Sequence, residues 1–280
     1  DITAESRNAA LLFEPWEIKN KQGLPFRVFT PFWKRLLEAG LPQAPDKHTD
    51  LRSRIVGPTT LKGIDQSTPE SLKLLPTVRW DSGMHAAWRP TRAAAEARLE
   101  EFVATELHSY AQGRDLPASD QVSRLSPYLH FGQLGPREVV SACRRERQAA
   151  AAFLRELGWR EFAHHLLFHF PHTAEAALDS RFAAFPWRED AMALQAWQHG
   201  NTGIPLVDAG MRQLWATGWM HNRVRMIVAS LLTKNLLLPW QAGASWFWDT
   251  LVDADLASNS LGWQWTAGCG ADAAPYFRVF

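Results

Sequence analysis

The sequence predicts a mainly α-helical protein carrying a long linker near its start, and three observations predict it. Beyond about residue 90 strand signals nearly vanish. In the same region apolar residues recur at the three- and four-residue spacing of helix faces. Between residues 41 and 79, prolines at 42, 45, 58, 69 and 76 interrupt a stretch of little periodicity, which reads as surface linker.

Residues 1–20 hold the short apolar run "AALLFEPWEI", expected to be the tail of a preceding domain. "TPFWKRLLEAG" (30–40) reads as a short helix with Thr30 as N-cap, Pro31 at its first position and Gly40 as terminator. Residues 21–90 form the expected interdomain linker, and 91–280 the helical domain. Within that domain, residues 89–113 read as one helix with Leu99, Phe102, Val103, Leu107 and Tyr110 on one stripe. Residues 135–171 hold one or two helices ending at Pro171. "GIPLVDAGMRQLWATG" (203–218) is amphipathic, with Ile204, Val207, Met211, Leu214 and Trp215 inward. Two more helices follow over 221–239, closed by Pro239, and over 244–256.

The 280 residues are 46% hydrophobic, enough for a sizeable core. No apolar run reaches membrane-span length, so no membrane partner is expected. No signal-peptide pattern opens the chain. A start at Asp1 and an end on "YFRVF" suggest a piece cut from a longer protein, here expected to be a monomer. Thirty basic residues against 29 acidic leave a net charge of +1, so any nucleic-acid surface must be local. Two distant cysteines, Cys143 and Cys269, suit a reduced cytoplasmic protein and cannot hold an iron–sulfur cluster. Fourteen tryptophans against 3 tyrosines point either to a Trp-rich core or to aromatic chemistry: stacking on bases or electron transfer.

Several motifs combine chemistry-bearing residues. In "SRLSPYLHFG" (123–132), Ser126 before Pro127 reads as a helix start. Free N–H groups with the hydroxyls of Ser123 and Ser126 suit a phosphate, although plain capping explains the motif alone. In "RELGWREF" (155–162), Glu156 and Trp159 share a helix face and suit a nucleobase. The plainer reading pairs Glu156 with Arg160 and buries Trp159. "GWMHNRVRM" (218–226) places Asn222 and Met226 on one face and Arg225 on another; it is either a solvated basic turn or holds a buried partner. In "LVDADLASNSLGW", Asp253 and Asp255 need partners, with Arg225 a candidate for Asp253. The "DAD" spacing lacks the rest of a calcium loop, and His165 with His169 lack the glutamate of a zinc motif, so no metal is expected. In "LGWQWTAGCG" (261–270), Trp263 and Trp265 form one patch on a strand or two separate contacts on a helix.

Taken together, "LLFEPWEI", "FRVFTPFW", "SRLSPYLHFG", "ELGWREF", "TGIPLVDAGMRQLWATGWMHNRVRM", "LVDADLASNSLGWQW" and "GADAAPYFRVF" resemble, in order, the flavin-binding helical domain of the photolyase/cryptochrome family. "MHNRVRM" resembles its class I cyclobutane pyrimidine dimer photolyases. The resemblance implies an all-helical FAD-binding domain and light-driven repair of such dimers in DNA. The cofactor would be FAD, as FADH⁻ in the active state, with an antenna pigment of unspecified identity in the full-length protein.

By the same resemblance, Tyr110, Ser123, Leu125 and Ser126 match the segment around the FAD pyrophosphate. Val122 stands where the family usually has threonine, removing one hydroxyl contact. Arg225, Asp253, Asp255 and Asn259 match further cofactor contacts, Asn259 facing flavin N5. Glu156, Trp159, Asn222, Met226 and Trp265 match the lesion pocket, and Arg223 the DNA-binding surface. Trp187, Trp240 and Trp263 match an electron chain that photoreduces FAD, while Trp215 and Trp246 are assigned to the core. Rival readings are a cryptochrome-type photoreceptor without repair activity and a DNA-binding helical domain without cofactor.

Overall fold

A computed structural model describes residues 8–42, 44 and 71–280; most of the expected linker lies outside the described residues. The described residues form helices, turns and irregular segments, with no strand among them. The first helix, α1, spans Phe29–Ala39. It starts before the expected Thr30: Val28 occupies the cap position without a side-chain bond. Pro31 falls inside the first turn, where a helix needs no N–H from it. Gly40 ends it at φ +82°, as the sequence predicts. Helix α2 (Ser82–Ala87) follows.

The long helix expected over 89–113 is two. Thr91 caps α3 (Arg92–Thr105) by accepting from the Ala94 N–H at 3.2 Å. A turn at 106–109 then separates the single-turn α4 (Tyr110–Gly113). The break lets Leu107 and Tyr110 bury with Leu99 and Phe102 without one straight stripe. Helices α5 (Ser126–His130) and α6 (Pro136–Ala142) lead to the central helix, α7 (Ala151–His169). Next come α8 (Ala191–Gln198), α9 (Pro205–Thr217) and α10 (Asn222–Ser230), which runs into a π-helical turn over Leu231–Asn235. The last two are α11 (Trp240–Thr250), begun four residues earlier than expected, and α12 (Leu256–Ala267).

On α9 the buried stripe is Val207, Met211 and Leu214. Ile204 and Trp215, expected inward, are 42% and 51% exposed, because the helix begins after Ile204 and Trp215 flanks the stripe. Trp215 stacks instead on Trp246 (6.0 Å, 10°) and Trp80 (5.9 Å, 26°), a surface pile of indoles rather than core.

Three apolar clusters hold the body together. One gathers Leu99, Phe102, Tyr110 and Phe153 around α3, α4 and α7. A second gathers Trp197, Met211, Val228, Trp240, Phe247 and Trp263 among α8–α12. The third packs α1 on α7 through Phe29, Phe32, Leu36, Phe162 and Leu166. Gly158 makes the α1–α7 approach possible, since a Cβ there would lie 2.4 Å from the Trp33 ring. Residues 8–18 also join this body. Glu161 on α7 accepts the Leu12 and Phe13 N–H groups at 2.9 and 3.3 Å, and the Arg160 guanidinium donates to the Ala10 carbonyl at 2.7 Å.

His165 and His169 serve this packing. His165 accepts the Phe26 N–H at Nε2 (3.0 Å), and a nitrogen of each ring lies 3.1 Å from the Pro15 carbonyl. Burial pushes the His165 pKa down to about 4, so its ring is neutral and free to accept. Both cysteines are free and buried.

Candidate functional site

Helices α7, α10 and α12 meet the segment 110–126 at the seam between the first two clusters. They enclose a cavity of about 760 Å³, within the size range of small-molecule and cofactor sites. A second cavity of about 190 Å³ shares several of its lining residues, among them Arg225, Asp253 and Gly262. The large cavity brings together the predicted residues Tyr110, Ser123, Leu125 and Ser126 from one side. It takes Glu156 and Trp159 from α7, and Asn222, Arg223, Arg225 and Met226 from α10. Asp253, Asp255 and Trp265 complete the set, whereas Asn259 lines only the smaller cavity, its amide donating to the Ala244 carbonyl at 2.9 Å.

Arg225 was expected to face away from Asn222 and Met226, yet all three line the same space. The cavity wraps the first turn of α10, so neighbouring faces reach it together. His221 caps that turn, accepting the Arg223 N–H at Nδ1. Arg225 donates from Nη2 to both Asp253 oxygens at 3.1 and 2.9 Å, and from Nε to the Met220 carbonyl at 2.8 Å.

Ser126 was expected as an N-cap, but Leu125 holds that position. The Ser126 hydroxyl instead donates to Asp253 Oδ2 at 2.6 Å, tying α5 to the loop before α12. Arg98 steadies the preceding turn, donating to the carbonyls of Val122 (3.0 Å) and Ser123 (2.9 Å). Asp255 caps α12 by accepting the Ser258 N–H at 2.8 Å and lies 3.6 Å from His164. Burial pushes the Asp255 carboxyl up, but His164 and the Ser258 donors outweigh it and hold the group below its ordinary range.

On the other side, Glu156 pairs with Arg114 rather than Arg160. The Arg114 guanidinium lies 5.6 Å over the Tyr110 ring. Burial, with the Glu156 charge, pushes the Tyr110 phenol above its ordinary range, so it is a neutral donor. Arg223 donates from Nε and Nη2 to Asp115, at 2.7 and 2.6 Å, and its Nη1 lies 3.3 Å from the Met226 sulfur. The sequence reading missed Arg114 and Asp115; Arg114 follows Tyr110 by one helical turn, the only local signal it offers.

Helical backbone over 256–267 settles the Trp263–Trp265 question in favour of two contacts. Trp265 faces the large cavity and stacks on Phe280. Trp263 is buried, lines the smaller cavity and meets Phe247 and Trp197 edge-on at 5.0 and 6.0 Å. Its Nε1 has no hydrogen-bond partner among the described residues. Trp240 is buried in the same cluster, with Trp187 packed against it; neither is among the residues lining the two cavities. Trp159 stacks on Phe29 at 3.8 Å and 7°, with its cavity side left open.

The residues fit FAD. The space is large enough, Arg225 and the buried Asp253 are fixed against it, and Trp263, whose N–H is unpaired among the described residues, lines the adjoining smaller cavity. Gly262 faces both cavities, and a Cβ there would meet no protein atom within 4 Å, so its lack of a side chain leaves room rather than relieving a protein clash.

Comparison with known proteins agrees with this reading. Residues 153–280 match the family model described as FAD binding domain of DNA photolyase, and residues 1–49 that described as DNA photolyase. The chain is 46% identical, over its whole length, to a deoxyribodipyrimidine photo-lyase of Agrobacterium fabrum, spanning 58% of that protein. Cryptochrome-2 of Arabidopsis thaliana is 39% identical over 99% of the chain, which spans 47% of it. A solved class III photolyase from Agrobacterium tumefaciens superposes with TM-score 0.85 at 43% identity, covering 97% of this chain and 57% of that one. The chain spans a little over half the length of these photolyases, and with its all-helical architecture and matching motifs it belongs to the photolyase/cryptochrome family.

Proposed function

We propose that this chain is the FAD- and DNA-binding part of a photolyase that repairs cyclobutane pyrimidine dimers in DNA. One observation carries the reading: residues expected on the cofactor and residues expected on the lesion line one continuous cavity. When bound, reduced FAD supplies light absorption and a transferable electron.

The chain's own residues supply binding and orientation. Arg225, Asp253 and Ser126 form a fixed polar wall for the cofactor, Tyr110, Ser123 and Leu125 line its other end, and Asp255 anchors the start of α12. Asn259 adds an amide at the smaller cavity. Glu156, kept in place by Arg114, offers carboxylate oxygens to base N–H groups. Trp159 and Trp265 provide stacking faces, each worth about 1–3 kcal/mol to a bound base. Asn222 and Met226 shape the opening, and Arg223 at its rim meets phosphate. A distorted lesion leaves the duplex at lower cost than an intact base pair.

The test is illumination of the full-length reduced protein with dimer-containing DNA. Restored thymine absorbance is expected; none would overturn the reading. The identity to a plant cryptochrome over 99% of the chain favours a second reading, a blue-light flavin photoreceptor. Photoreduction of the oxidised flavoprotein, together with no dimer repair by the reduced one, would select it.

We further assign Trp187, Trp240 and Trp263 to photoreduction, supported by their packing in one cluster. Trp187→Phe is expected to block photoreduction while sparing repair by chemically reduced protein; loss of both would overturn that role. No described helix is long and apolar enough to cross a membrane. The reading takes the protein as a cytoplasmic monomer, with residues 1–20 closing an antenna domain, which sedimentation and localisation of the full-length chain would check.

A further inference from the structure

The tetrapeptide Phe-Arg-Val-Phe occurs twice in the chain, at residues 26–29 and 277–280. Its last phenylalanine has the same task in both copies. Phe29 lies parallel to Trp159, 3.8 Å between centroids and 7° between planes. Phe280 lies against Trp265 at 5.5 Å and 25°. Both tryptophans line the large cavity; neither phenylalanine does. Each indole therefore stacks against a phenylalanine on one side and lines the cavity on another, Trp159 also meeting Phe162 edge-on at 5.9 Å.

Both phenylalanines are themselves fixed. Phe29 is 1% exposed and continues the pile on its far side to Trp33, at 6.3 Å and 10°. The Arg155 guanidinium lies 5.4 Å from its centroid. Phe280 has the Arg278 guanidinium at 5.1 Å and the Lys234 ammonium at 5.4 Å. Its N–H donates to the Ser230 hydroxyl at 3.1 Å, and Lys234 donates to the Pro275 and Arg278 carbonyls. The two copies are also linked: Asp272, on the segment leading to the second, accepts the Phe29 N–H at 3.3 Å.

An unsupported indole at a cavity edge samples several rotamers, and a ligand that stacks on it must first order it. A ring already stacked on its far face loses less. We propose that Phe29 and Phe280 are positioning residues that hold Trp159 and Trp265 as fixed walls, so that the two Phe-Arg-Val-Phe segments set the geometry of the base-binding slot. The inference rests on the reading that these tryptophans flank extruded bases.

The test uses the full-length flavoprotein labelled with 5-fluorotryptophan, with the Trp159 and Trp265 fluorine lines assigned by Trp→Phe substitution. Phe280→Leu is expected to shift or broaden the Trp265 line and leave the Trp159 line in place; Phe29→Leu does the converse. Affinity for dimer-containing DNA is expected to fall about 3- to 10-fold, the size of an aromatic pair. Affinity for undamaged DNA and flavin absorbance stay unchanged, and Phe280→Tyr and Phe29→Tyr restore the lesion affinity. Half-buried Phe280 carries the test should Phe29→Leu fail to fold.

Unaltered fluorine lines, or altered lines with undiminished lesion affinity, would overturn the proposal. Should the unsubstituted protein bind dimers no better than undamaged DNA, the lesion reading falls. The fluorine lines then decide the backing role by themselves, and unaltered lines overturn it too.

Discussion

Two arginines of α10, two residues apart, each meet an aspartate at the same cavity, and they have little else in common. Arg225 pairs with an Asp253 side chain that is only 2% exposed, and the Ser126 hydroxyl joins the same carboxylate. Arg223 pairs with Asp115, whose side chain is 53% exposed. In the first pair the carboxylate is buried and the guanidinium is only 25% exposed, at the cavity wall. The second stands in water, where an anion can replace the aspartate. On one turn of helix, burial alone separates a fixed structural pair from an exchangeable one: the first suits a resident cofactor, the second a passing phosphate backbone.

Breaking the closed pair is expected to cost most. Asp253→Ala removes the partner of a mostly buried guanidinium and leaves the Ser126 hydroxyl without its acceptor, a loss of about 3 kcal/mol. Urea unfolding of the purified protein measures it, and the variant is expected to release its flavin on gel filtration. A loss under about 0.5 kcal/mol would show that solvent already satisfies Arg225.

Glu161 sharpens the contrast, being a buried carboxylate whose nearest cation, Arg160, stands beyond hydrogen-bond distance. One oxygen accepts two backbone N–H groups; the other has no hydrogen-bond partner, and Arg160 stands 3.6 Å away, with Arg137 as the other nearby charge. Burial raises its pKa from 4.5 to about 7. Between those values the folded protein binds the proton more than the unfolded chain does. Stability from this group is therefore present at low pH and falls as pH rises from about 4.5 to about 7, by roughly 3 kcal/mol at most. Glu161→Gln keeps an acceptor for Leu12 and Phe13 and is expected to flatten that segment of the unfolding profile. An unchanged slope would assign the pH dependence elsewhere.

Glu156 lies between these extremes, its side chain 30% exposed and bound to Arg114. Glu156→Ala is expected to cost little stability but to lower repair about 10- to 100-fold, as for the loss of a hydrogen bond to a charged group. The rate of thymine absorbance recovery checks it, and unchanged repair would remove Glu156 from the site.

What the sequence made legible follows from chain distance. Helices α9 and α10, and the polar residues of α10, were readable because periodicity, proline and cap signals are local, whereas the sequence leaves the backbone of α12 open between strand and helix. The Arg225–Asp253 pair, 28 residues apart, was proposed because both charges stood out in apolar surroundings. Arg114–Glu156 and Arg223–Asp115 were not, since their partners lie 42 and 108 residues apart with nothing local to couple them. Capping misled at Ser126, where a hydroxyl suited to local use was taken by Asp253, 127 residues away. Trp215 misled because it only flanks the buried stripe of α9: half exposed, it stacks on Trp80 and Trp246 at the surface.

The smallest effect on the fold belongs to the open pair, and it tests the comparison most directly. Arg223→Ala is expected to change unfolding free energy by no more than about 0.5 kcal/mol, because an exposed ion pair contributes little. Its effect belongs to DNA binding. Losing one phosphate contact weakens intact and damaged DNA alike and lowers the slope of log affinity against log salt by about one. Asp115→Asn is expected to act oppositely, freeing Arg223 and strengthening binding of both DNAs at low salt. Matched titrations at several salt concentrations separate these effects from lesion recognition, which depends on Glu156 and the two indoles. If Arg223→Ala reduced affinity only for damaged DNA, Arg223 would belong inside the lesion pocket rather than at its rim, and the two arginines of α10 would no longer divide between cofactor and backbone.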